Sequence, residues 1–90
     1  MSEFPPTVNA DNRTPVFTEQ TVPTGLLRHH KTKPGVWAVI TIMSGTLEFI
    51  DEQKGETRRL EAGDRHVIAP QALHCVKPCG SAAFFVEFYR

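Results

Sequence analysis

The run "VWAVITIMSGTLEFI", residues 36–50, decides the fold. Residues 36–43 are apolar or β-branched on both faces, which suits a strand in the middle of a sheet. Ser44 and Gly45 then break the run. Beyond them Leu47 and Phe49 alternate with Glu48, giving one dry face and one wet one. The reading is two strands, 36–43 and 46–50, separated by a turn.

Outward from this run the same grammar repeats. Strands are expected at 14–17, 25–30, 57–61, 65–69, 73–77 and 83–90, cut by Gly, Pro and polar turn formers at 33–35, 51–56, 62–64, 70–72 and 78–81. No stretch sustains a helical period. Closely spaced short strands without crossover helices point to an all-β sandwich or barrel. The chain divides into a Pro-rich extended arm, residues 1–12, and one domain, residues 13–90.

Composition excludes several function classes. Ninety residues hold one core and no separate cofactor-binding domain. Ten Lys and Arg balance ten Asp and Glu, so there is no electrostatic footprint for nucleic acid or an anionic membrane. No apolar run approaches a membrane span, and the start lacks a basic region followed by an apolar one. The protein is expected to be soluble and cytoplasmic, without nucleic-acid or membrane partners. Cys75 and Cys79, in "CVKPC", read as two free thiols near a turn.

The chemistry gathers around one carboxylate. Glu87 lies in "AAFFVEFYR", residues 82–90, and a buried carboxylate needs a cation, a metal ion or a set of donors. Its strand has no polar face: Phe85, Glu87 and Tyr89 share one side, and Phe84, Val86 and Phe88 the other. Histidines are natural partners, at His29, His30, His66 and His74, and only one of the adjacent pair His29 and His30 can face inward. Two imidazoles and a carboxylate from separate strands form the facial set used for Fe(II) and suited to Zn, Mn or Ni. Arg28, which shares the parity of His30, offers Glu87 a plain ion pair instead. Tyr89 is placed to orient Glu87, His66 reads as a pocket residue or a strand-end histidine, and Trp37 as core or pocket wall.

Several motifs together resemble a known family. "VPTGLLRHH" (22–30), "PGVW" (34–37) followed by "SGTLEF" (44–49), "APQALH" (69–74) and "FFVEFYR" (84–90) are similar to the small single-domain cupins called tellurite resistance protein B-like, over about residues 13–90. The resemblance implies a conical cupin β-barrel of two antiparallel sheets, a jelly-roll, with one divalent metal inside. It matches His30, Trp37 and Glu87. Against the wider cupin pattern, Gly45 fits the last glycine of the first motif, but Ala38 replaces its Glu and His29-His30 its His-x-His. Gly63 and His74 keep the spacing of the second motif, while Pro70 falls one place late and Gln71 replaces the internal glycine. The implied metal ligands are His30, His74 and Glu87, with Glu87 standing in for the missing carboxylate. Trp37, His66, Tyr89 and Arg28 are expected around them.

Two functions follow. One is a metal-dependent, dioxygenase-like catalyst with open coordination positions. The other is a non-catalytic module that binds or senses a small molecule or oxyanion, with a link to tellurite or oxidative stress carried by the resemblance. A homodimer is also expected, because strands 36–43 and 83–90 are apolar on both faces and a small barrel has one interior.

Overall fold

The computed structural model describes residues 10–27 and 31–90. Among them six strands follow one another: β1 (Ala10–Arg13), β2 (Phe17–Thr18), β3 (Trp37–Asp51), β4 (Glu56–Glu61), β5 (Arg65–Ile68) and β6 (His74–Tyr89). A single 3-10 turn covers Thr24–Leu27. Every pairing is antiparallel, so the chain is all-β as expected.

The breaks at 44–45 and 78–81 are bends, not loops. The expected pairs of short strands are fused into β3, of 15 residues, and β6, of 16, which pair along nearly their whole length. A straight strand of 15 residues spans about 50 Å. The longest dimension of the molecule is 36 Å, so both strands must fold over. Gly45 is where this happens, at φ +73°, and the β3–β6 register shifts between Ile42 and Ser44 and again between Gly45 and Leu47. The shift is visible in burial. Ala38, Ile40 and Ile42 are buried before the bend, Leu47 and Phe49 after it, an even-to-odd switch.

This folding encloses one core. Ile40, Ile42, Leu47, Phe49, Leu60, Phe84 and Val86 form a single cluster drawn from both sides of the bend. The strand order is β1-β6-β3-β4, with β2 added on β6 and β5 on β3. Among the described residues no pairing joins β1 to β4, so the sheet does not close as a conical barrel would. Two further expectations differ. Residues 24–27 take a 3-10 turn where a strand was expected from 25, Leu26 N–H donating to the Pro23 carbonyl at 3.0 Å. The strand at 14–17 shrinks to Phe17–Thr18, since Pro15 offers no ladder donor.

The arm ends in structure. Its residues from Ala10 join β1, which lies along β6, and Thr14 pins the crossing: its N–H donates to the Val86 carbonyl at 2.8 Å and its hydroxyl accepts from Val86 N–H at 3.0 Å. The outer face of β3 is covered in part by the chain itself, for Val39, opposite the core, is only 2% exposed. Some of the covering expected from a second copy is therefore intramolecular.

A Cβ on residue 45 would run into the Ser81 carbonyl and the Ala82 backbone. Gly45→Ala combines that collision with a left-handed φ, and is expected to cost about 2–3 kcal/mol or more. Gly25→Ala, with open space around it, serves as the control, expected within about 0.5 kcal/mol of wild type in urea unfolding.

Candidate functional site

His74 opens β6 facing the core and is 3% exposed. Its ring lies against Phe49, with centroids 5.2 Å apart and planes 21° from parallel. Nδ1 is 2.7 Å from the Ala72 carbonyl oxygen. A carbonyl only accepts, so Nδ1 carries the proton and the neutral ring keeps its lone pair on Nε2. His66, on β5 opposite Ile40, meets the same phenyl ring, at 4.6 Å and 57°. Burial lowers the pKa of both imidazoles. For His74 the Ala72 bond, Asp51 and Glu52 oppose that shift, and for His66 Arg58 adds to it. Both rings are neutral at neutral pH. Beside His74 lies a cavity of about 30 Å³ walled by Leu26, Ala38, Ile40, Ile68 and Phe84, room for roughly a water molecule and no more.

Glu87 faces the other way. The even-numbered residues of β6 from His74 to Val86 include every buried one, and Glu87 is odd. Its carboxylate lies 3.7 Å from Arg13 Nη2 and 4.0 Å from Arg65 Nη2, at 24% exposure. The Arg13 guanidinium also rests 4.1 Å over the Phe85 ring. β1 and β5, flanking the sheet on either side of β6 and β3, deliver these two arginines. The carboxylate in the apolar run thus finds cations, and not the same point as His74. Trp37 and Tyr89 are cross-strand partners at the end of β3 and β6, half-buried, and by parity they stand on the Glu87 face. Arg28, His29 and His30 lie outside the described residues.

Two of the expected trio, His74 and Glu87, stand at opposite parity on β6, and the third, His30, lies outside the described residues. Asp51, the register partner of His74, is engaged elsewhere, its Oδ1 accepting from Gln53 and Lys54 N–H at 3.1 Å each. Among the described residues no group of three or more His, Cys, Asp and Glu side chains could hold a metal ion. The cysteines are free thiols, and burial together with Glu52 pushes the Cys75 thiol upward, away from the thiolate.

A second hollow was missed by the sequence reasoning. It is an open depression of about 300 Å³ between the end of β1, the loop before β3 and the end of β6, and its lining includes Asn12, Lys31, Thr32, Lys33, Phe88 and Arg90. Among the described residues no acidic side chain lines it. Thr32, only 7% exposed, holds the loop: its hydroxyl donates to the Val36 carbonyl at 2.8 Å and accepts from Gln71 N–H at 3.2 Å. Gln71 takes φ 61°, in the position where the cupin pattern has glycine. Thr32 and Phe88 line both hollows and form the wall between them. The signal was available in "KTK", residues 31–33, beside the histidine pair that drew attention first.

In the metal-free protein the lowered histidine pKa values make stability depend on pH. Between the folded value and the ordinary 6.5 the unfolded chain binds more protons, so stability is fully present above about pH 7 and falls as pH drops through that window. Urea midpoints should decline from about pH 7.5 to about pH 5, and His74→Gln should flatten the decline. An unchanged slope in that variant would remove His74 from the effect.

Comparison with known proteins places the chain. No protein of curated function matches it. The crystal structure of a protein from E. coli (strain K12) superposes with a TM-score of 0.92 at 23% identity, covering 100% of this chain and 97% of that one. TehB from Haemophilus influenzae superposes with a TM-score of 0.82 at 24% identity, over 91% of this chain but 31% of its own. At these identities the likeness is one of fold, and the chain spans about a third of TehB. A family model described as TehB-like domain matches residues 12–86, and the chain belongs to that family.

Proposed function

We propose that this TehB-like domain is a non-catalytic module that binds a small anion in the basic hollow. The observation that carries the reading is the hollow itself: Lys31, Lys33 and Arg90 line one open concave space of about 300 Å³, with no acidic side chain among the described residues that line it. Cations gathered in a cleft with low-dielectric walls raise the local concentration of an anion. Thr32 holds the loop in place, so the backbone that carries the two lysines is set before the ligand arrives. The family's tellurite connection makes that oxyanion the first ligand to try. In this reading the folded sheet is an open form of the cupin architecture, with its ligand at the rim and not in the interior.

Replacing both lysines, Lys31→Ala with Lys33→Ala, should weaken anion binding at least about tenfold, a loss of roughly 1.4 kcal/mol. The same change should flatten its salt dependence. Calorimetric titration with tellurite, sulfate and phosphate at two ionic strengths checks this. Equal affinity in the variant would rule out the hollow as the anion site.

A second reading keeps a divalent metal, Zn, Fe(II), Ni or Mn, in the interior. Two neutral imidazoles around Phe49 favour it. The described residues do not complete such a site, so the reading requires a ligand at His29 or His30. It expects metal content to fall in His74→Ala and to persist in Glu87→Gln. Elemental analysis showing loss in Glu87→Gln would restore the original trio.

A further inference from the structure

The basic hollow is larger and less polar than a bare oxyanion needs. We infer that its ligand is an organic anion, an apolar body carrying a phosphate or carboxylate, which deepens the anion-binding reading and rests on it. A water molecule's share of the liquid is about 30 Å³, so an ion of three or four oxygens fills on the order of 100 Å³. The hollow is an open one of about 300 Å³, near the lower end of the range for small organic ligands. A bare ion would touch only part of its wall.

The lining divides in the same sense. Lys31 and Lys33 supply charge, whereas Val36 and Phe88 supply apolar wall. The hydroxyl of Thr32 is committed to Val36 and Gln71, leaving charge recognition to the cations. Lysine ammonium groups act as point charges and the Arg90 guanidinium suits either oxyanion, so a phosphate or a carboxylate is admitted. Phe88 is the discriminating residue. It packs against the core cluster while also lining the hollow, so its ring is held as a platform before any ligand binds. An aromatic or aliphatic body laid on it loses water from both surfaces, and an aryl group adds the ring–ring preference.

Phenyl phosphate and inorganic phosphate, titrated into the full chain at equal ionic strength, separate charge from body. Phenyl phosphate is expected to bind at least about tenfold more tightly. In Phe88→Ala the two should come within about twofold, with Phe88→Leu, which retains bulk without the ring, falling between them. Circular dichroism of each variant guards against loss of fold. Substituting Lys31 and Lys33 should weaken both ligands in parallel. Equal affinities in the wild type, or a preference that survives Phe88→Ala, would overturn the organic body while leaving anion binding in place. Binding of neither ligand would overturn both.

Discussion

The approach of Gly45 to the backbone at Ser81 and Ala82 is the constraint on which the structure depends. Two long strands can share one ladder and still enclose a core only if both turn at the same level, and there the two chains come too close for a side chain on residue 45. The left-handed φ and the missing Cβ solve the same problem from two directions, conformational and steric. Once the bend is made, Ile40, Phe49, Leu60 and Phe84 fall into one cluster, and apolar burial holds the fold closed.

The bend also settles the fate of the polar residues. Parity along β6 runs unbroken from His74 to Val86, while parity along β3 switches at the bulge. His74 is carried inward and Glu87 outward, whatever chemistry each would favour. Glu87 then meets Arg13 and Arg65 at distances and exposures where ion pairs contribute at most about 1 kcal/mol. Their effect is better described as placement: with β1 paired along β6, Arg13 lies over Phe85 and covers part of a strand face that would otherwise be apolar and open.

Periodicity made the β class and the extents of β4 and β5 readable from the residues; for Glu87 it showed the need for a partner but left a cation, a metal ion and a set of donors equally open. It did not separate a turn from a bend. Ser44-Gly45 and Pro78 to Ser81 have turn chemistry, but turn chemistry describes local dihedral freedom, and only the long-range pairing of β3 with β6 keeps those residues in the ladder. The opposite parity of His74 and Glu87 was hidden for a related reason: the two share a face or not only as members of one strand, and the turn residues at 78–81 divide that strand in the sequence. His30 lies outside the described residues, so its place is untouched by this.

The basic hollow was hidden by averaging. A chain with equal numbers of cations and anions has no net charge, and a sum over the whole chain carries no sign of a local basic patch. Screening reduces charge effects beyond about 8 Å at physiological ionic strength, so a ligand in the hollow senses its lining and little else. Lys31 and Lys33 are adjacent there because a fixed loop turns between them and β3, and Arg90 arrives from the end of β6. Recognition of that kind is local: with no overall field to steer a ligand, selectivity must come from the shape and polarity of the walls, and of those walls Phe88 is the element that also belongs to the core.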